Sequence, residues 1–310
     1  MPVSEQKKRQ QKIGKVLQSF LQESLKTTHG RIVLSGLLVG LCYFPMWLGV
    51  LIERAFQGSP GLPLMLGVVG LALHELWKKR TQLAKETVAD EDRLLGHILI
   101  VSGVIFFPFY RTAIWSQSLI WLIVLIGIAC SSWGIGFFRK YTIPTLLMAL
   151  SVYPRPGETT RLLWELVTPY RALDHFMAWA GSLTLKAIGQ TVEVQGAFVS
   201  LPQGAVEVGW GCNGFSMAVN IAMAGLVMGL LLKQSWQKVL LIMAFGAGLA
   251  LILNIPRITL VTLASVYWGQ YWFDFWHGSW GSQIFMSVVF TIYYYIIMGV
   301  TKKRSPKART

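Results

Sequence analysis

Residues 191–232 read TVEVQGAFVSLPQGAVEVGWGCNGFSMAVNIAMAGLVMGLLL. The stretch changes period in the middle. Val192 and Val194 alternate with Glu193 and Gln195, Val206 and Val208 flank Glu207, and Gly196, Pro202 and Gly204 punctuate the run. Such alternation predicts two or three short strands, a small β-hairpin outside the lipid. From about Gly211 to Leu232 the chain is nearly all apolar, which predicts a membrane helix, with Lys233 and Lys238 beyond its end. At the seam stands Gly211-Cys212-Asn213-Gly214.

Outward from this seam the chain is a string of apolar runs. Of 310 residues, 54% are hydrophobic and 14% charged, against about 25% charged in soluble domains. Runs at Ile32–Ile52, Leu64–Trp77, Leu94–Tyr110, Leu119–Phe138, Val239–Leu253 and Gly281–Val300, with a shorter one at Tyr141–Val152, reach or approach span length. The expected fold is an all-α polytopic membrane protein of about eight transmembrane helices (range about seven to nine), with the small extracytoplasmic hairpin ahead of the Gly211 helix. The expected division is 1–31, a basic N-terminal segment; 32–153, N-terminal spans; 154–300, a core carrying the chemistry; and 301–310, a basic tail.

Charge orients the string. The net charge is +14, concentrated at the two ends: Lys7, Lys8, Arg9, Lys12, Lys15, Lys26 and Arg31 precede the first span, and Lys302, Lys303, Arg304, Lys307 and Arg309 follow the last. The positive-inside rule holds both ends in the cytoplasm and removes the reason to invoke nucleic acid; contact with anionic lipid follows as a by-product. A basic N-terminal region followed by a full-length span is not expected to be a cleavable signal. Counted from a cytoplasmic N-terminus, Cys212, Arg257 and His277 all fall at the outer membrane–water boundary. Residues 154–190 then read as an interfacial helix followed by a helix at the membrane edge. Residues 258–276 must re-enter or lie along the interface for the tail to remain inside.

A thiol, a guanidinium and an imidazole on one face are the parts of acyl transfer through a cysteine nucleophile. Cys212, at the expected helix start, would be favoured as thiolate by the helix dipole. Free N–H groups at Asn213 or Gly214 would face an oxyanion. Arg257 follows Pro256, which is expected to break the span, and a cation at a membrane boundary suits a developing negative charge. His277 suits general acid–base work. His175, also on the outer side, is the rival base; His29, His74 and His97 lie toward the inner side. Asn213, Gly214, Ser216 and Asn254 are the supporting candidates, with Asn220 on or near the same helix face. Taken singly, each of the three main residues also fits a structural role: a small apolar group, a snorkelling arginine, an interfacial imidazole. Gly225-x-x-x-Gly229 needs only helix packing. Cys42 and Cys130 lie in apolar runs, and no metal-ligand spacing occurs, so neither metal nor cofactor is expected.

Taken together the motifs resemble the exosortase/archaeosortase family of membrane transpeptidases. They run in the family's order: the stretch before the cysteine, Cys212-Asn-Gly214, Asn254-x-x-Arg257, and His277-x-x-x-Gly281. The likeness covers about 160–300, and the Trp-rich segment before His277 resembles a cyanobacterial-type branch. Asn213 departs from the small residue common there. The resemblance implies a cysteine protease/transpeptidase of the bacterial cytoplasmic membrane, with its site facing the periplasm. Its substrates would be exported proteins ending in a short motif such as Pro-Glu-Pro, a span and a basic tail. Cys212 would be the nucleophile, Arg257 the transition-state stabiliser and His277 the acid/base. Two other classes stay open: a transporter or flippase binding an anionic solute at Arg257 and His277, and a non-catalytic envelope-assembly subunit.

Overall fold

The computed structural model describes residues 18, 22–57, 59, 61–110 and 112–302; most of the basic N-terminal segment and the tail from residue 303 lie outside them. The elements in order are α1 (Thr28–Phe56), α2 (Gly61–Lys78), α3 (Arg80–Leu83), α4 (Asp90–Phe106), a 3-10 turn (Phe107–Tyr110), α5 (Ile114–Trp133), α6 (Gly136–Lys140), α7 (Thr142–Val152), α8 (Pro156–Val167) and α9 (Ala172–Ala187). Then come β1 (Glu193–Gln195), β2 (Phe198–Leu201), β3 (Gly204–Glu207), α10 (Phe215–Leu231), α11 (Trp236–Leu263), a π turn (Ala264–Trp268), α12 (Gln270–His277) and α13 (Ser279–Lys302).

The chain is a multi-pass membrane protein. Five helical segments are long and apolar enough to cross: Thr28–Phe56, Asp90–Tyr110, Ile114–Trp133, Trp236–Trp268 and Ser279–Thr301. Only 17% of the most apolar window of Ser279–Thr301 is buried. Helices this apolar and this open require lipid as their solvent. The expected count of about eight is therefore met only in part. α7 and α10 are shorter apolar helices, and at about 1.5 Å per residue neither alone covers a hydrocarbon core of about 30 Å. α2 ends in a polar stretch with His74, Glu75 and Lys78.

The chain divides into two compact units: Met1–Gly49 with Val69–Tyr153, and Val50–Val68 with Pro154–Thr310. In the first, α4 and α5 lie backbone to backbone. A Cβ on Gly127 would come 2.8 Å from the Gly96 carbonyl oxygen and 2.9 Å from Ile100, so glycine sets the helix spacing. Buried polar groups in this unit are paired locally. Tyr43 O–H reaches the Val152 carbonyl at 2.7 Å, and Trp47 Nε1–H reaches that of Ser151 at 2.8 Å.

In the second unit, Gly225 and Gly229 of α10 face α11, where a Cβ on Gly229 would meet Val239 at 2.9 Å. The expected hairpin is a three-stranded antiparallel sheet, ordered β1-β2-β3, with Val194 opposite Val199 and Val199 opposite Val206. Its inward residue Val199, with the flanking Val192 and Val208, joins Met177 of α9, Ile258 of α11, Phe215 and Cys212 in one core. Two features differ from expectation. α10 begins at Phe215 rather than Gly211. α11 runs through Pro256 to Leu263; the proline removes one N–H and crowds the carbonyl four residues back, which a membrane helix tolerates, and the α-helix ends later, at the π turn and at Gly269 with φ +85°. α8 and α9 fit the two helices expected over 154–190, and α8 leaves Leu162, Leu163, Leu166 and Val167 exposed.

Candidate active site

Cys212 sits in a tight turn, three residues ahead of α10. Its own N–H and that of Asn213 both donate to the Gly209 carbonyl at 2.8 Å. The Asn213 amide is therefore not the free oxyanion donor expected of it. The cysteine is only 8% exposed and stands in the core with Phe215 and Val208. That burial works against the thiolate expected of a helix start. Burial is the largest influence on the thiol and pushes its pKa up; the Arg257 charge pulls it down, and Asp174 pushes it up again. A thiol held ahead of the helix, with the nearest amides engaged, gains little from the helix dipole.

The turn is held from three sides. Asn213 is fully buried; its Oδ1 accepts the Phe215 N–H at 2.9 Å, and its Nδ2 donates to Asp174 Oδ1 at 2.6 Å. The first bond gives α10 a side-chain cap from one residue upstream of Gly214, the cap position itself. Asp174, 1% exposed, also accepts from Arg171 Nε at 2.9 Å, and Arg171 Nη2 reaches Glu207 of β3 at 2.6 Å. On the other side, Asn254 Nδ2 donates to the Cys212 carbonyl at 2.6 Å. Gly214 has φ +81°, and a Cβ there would press within 2.9 Å of the Asn254 side chain; only glycine satisfies both conditions. α8 covers the third side, with Trp164 against Phe215 and the Arg161 guanidinium 4.4 Å over the Trp210 ring.

Arg257 is 5% exposed. Its Nη2 donates to Ser282 Oγ at 3.0 Å and to the His277 carbonyl at 3.3 Å, while its Nε has no partner among the described residues. Among those residues no carboxylate pairs with it. His277 ends α12 and stacks on Phe273 at 4.9 Å, one helical turn back. A Cβ on Gly211 would lie 3.8 Å from His277 Nε2, which places the imidazole beside the cysteine turn. Burial first, and the Arg257 charge second, push the imidazole pKa below its ordinary value; Asp274 opposes them. Gly281 is required because a Cβ there would collide with the Trp276 carbonyl.

The structure thus brings Cys212, Arg257, His277, Asn213, Gly214 and Asn254 together. No hydrogen bond joins thiol and imidazole among the described residues. A cleft of about 180 Å³ opens beside them, lined by Gly211, Gly214, Ser216, Asn220, Arg257 and Ser282 among others. The glycines on either side of Cys212 line it, while Cys212 and His277 do not. The rival base, His175, is exposed against the Gly196 turn. His74 is exposed on α2, and His29 and His97 face each other at 2.9 Å in the first unit. Sequence reasoning missed the roles of Asp174 and Arg171, which stand in a mixed polar stretch with no pattern of their own, and of Glu207, whose place in the alternating strand pattern gave no hint of its ion pair with Arg171. It also missed Ser282 and Arg54, a further lining residue of the cleft. One signal for Asp174 was available: an acid in the first turn of a helix that is otherwise largely apolar.

No curated protein and no solved structure matches the chain. The family model described as transmembrane exosortase matches residues 56–294, a stretch that takes in every site residue named from the sequence. The chain belongs to the transmembrane exosortase family.

Proposed function

We propose that this chain is a membrane cysteine protease/transpeptidase that cleaves C-terminal sorting signals from exported proteins at the outer face of the cytoplasmic membrane, residues 154–300 forming its catalytic core. The observation that carries the reading is Arg257: a buried guanidinium without a carboxylate partner among the described residues, beside Cys212 and lining an open cleft. An uncompensated buried cation is costly. It becomes useful where negative charge develops during reaction.

In this mechanism the resting pair is a neutral thiol and a neutral imidazole, consistent with the direction of both pKa shifts. His277 takes the Cys212 proton as Sγ attacks the scissile carbonyl carbon. Arg257 holds the resulting oxyanion, with the Gly214 N–H as a second donor. Collapse breaks the C–N bond, and His277 returns its proton to the departing amine, leaving a thioester on Cys212. Water or an amine acceptor, deprotonated by His277, then attacks the thioester and releases the thiol. Asn254 and the Asp174–Asn213 pair keep the turn, and hence Sγ, in place.

The test is Cys212→Ala in the host, with immunoblotting of a protein bearing a short motif, a span and a basic tail. Accumulation of the uncleaved protein is expected. Normal processing by the alanine variant would remove the enzyme reading and leave transport or assembly in its place.

A further inference from the structure

The cleft beside Cys212 holds a second cation that acyl transfer does not use. Arg54 stands in the last turn of α1 and lines the cleft together with Arg257. Among the described residues no carboxylate lines it. Among the described residues the Arg54 side chain has no ion pair and no hydrogen bond; its backbone carbonyl accepts the Ser59 N–H at 2.9 Å. The neighbouring Glu53 is exposed and lines no part of the cleft. A second, smaller cavity shares Arg54, Ser59, Ser216 and Asn220 with the first and is walled by Pro154 and Pro156. Arg54 therefore stands where the two cavities adjoin. By the counting that puts both tails inside, α1 ends on the outer face, where lysine and arginine are depleted. An arginine retained there, lining one cleft with the 5%-exposed Arg257, gives that cleft two positive charges and, among the described residues, no anion. Such a site is completed by an incoming anion.

We propose that Arg54 is a specificity residue that binds a side-chain carboxylate of the substrate, an Asp or Glu near the scissile bond, while that bond lies at Cys212 and Arg257. The inference rests on the acyl-transfer reading for its choice of a peptide as the source of the carboxylate. A planar fork of donors suits a carboxylate better than a point charge would. Ser59, Ser216 and Asn220 supply neutral polar atoms around it.

The experiment uses the full chain with Cys212→Ala in nanodiscs of neutral lipid, so that binding is read without turnover. Two fluorescent peptides are compared, each with a span and a basic tail, differing only by Glu or Gln ahead of the span. The Glu peptide is expected to bind about tenfold to a hundredfold more tightly, the scale of a hydrogen bond to a charged group. Arg54→Gln should erase that preference, and Arg54→Lys should restore part of it. In the active chain Arg54→Gln should raise KM for the Glu peptide more than it changes kcat. No preference in the parent, or a preference that survives Arg54→Gln, overturns the proposal. So does an Arg54-dependent response to phosphatidylglycerol nanodiscs with the peptide preference unchanged, which would assign the site to a lipid headgroup. Cys212-independent cleavage of the saturating Gln peptide would instead sink the acyl-transfer reading while the carboxylate preference stood.

Discussion

The two units handle buried polarity in opposite ways. In the unit built from Met1–Gly49 and Val69–Tyr153 the buried polar residues among those described are Gln117, Ser118, Ser131 and Ser151, all neutral. Their hydroxyls bond at home: Ser118 to Tyr43 at 2.7 Å, Ser131 to the Ile128 carbonyl at 3.2 Å, Ser151 to the Met148 carbonyl at 2.8 Å. In the unit that holds Pro154–Thr310 the buried set includes Asp174 and Arg257, the two fully charged side chains among the described buried residues. They are treated differently again. Asp174 is fully engaged by Arg171 and Asn213, whereas Arg257 keeps an unpartnered Nε. In a chain that lives in lipid, neutral and locally satisfied polarity builds a scaffold. Charge is kept where it fastens a turn or waits for a partner.

The largest expected effect separates these uses of charge. Arg257→Ala should lower processing of a tailed substrate by about 10²- to 10³-fold, the scale of losing one oxyanion donor, with little loss of melting temperature because the residue has no carboxylate to orphan. A large fall in Tm with residual activity would mean that Arg257 is structural, and the comparison would break. Asp174→Ala should do the reverse. It strips Asn213 Nδ2 and Arg171 Nε of their shared acceptor, leaving Arg171 its Glu207 contact, costs about 1–3 kcal/mol, and loosens the cap on Phe215. The readouts are a lower Tm and faster alkylation of Cys212 by a membrane-impermeant reagent. In the first unit, Gly127→Leu should cost about 1–3 kcal/mol through overpacking against Gly96 and Ile100, with Cys212 alkylation unchanged. A Gly127 variant of normal Tm but altered Cys212 reactivity would show that the scaffold does more than hold itself together.

How much of this was legible follows from what sequence periodicity records. The strand-to-helix change at 191–232 reported the sheet and α10, because period two and an unbroken apolar run are local properties. The order of Cys212, Arg257 and His277 was legible through charge counting and family likeness. The burial of the thiol was not. Whether Cys212 sits inside a helix or three residues ahead of it depends on where Asn213 finds its partner, and Asp174 lies 39 residues away. The same holds for Pro256: α11 continues through it because packing outweighs the lost N–H, and the chain bends instead at Gly269, where φ is positive. Arg54 was invisible for a related reason, since nothing near it in sequence shares the cleft it lines except Gln57 and Ser59.

The smallest effect tests the state of the resting pair. Burial and Arg257 lower the His277 pKa, and Asp274, one turn back on α12, raises it. Burial raises the thiol. If both groups rest neutral, the imidazole must be uncharged to act, so kcat/KM falls as pH drops through the His277 pKa, and that acid limb lies below the ordinary imidazole value of about 6.5. Asp274→Asn removes the one influence raising that pKa, so the acid limb should move slightly further toward low pH while the alkaline limb stays. A thiolate–imidazolium pair reverses the sign of the test. There the charged imidazole is the active form, His277 sets the alkaline limb, and Asp274→Asn would pull that limb down instead. Asp274 is exposed, so screening keeps the shift small, and the limb that moves, rather than its size, decides between the two pairs.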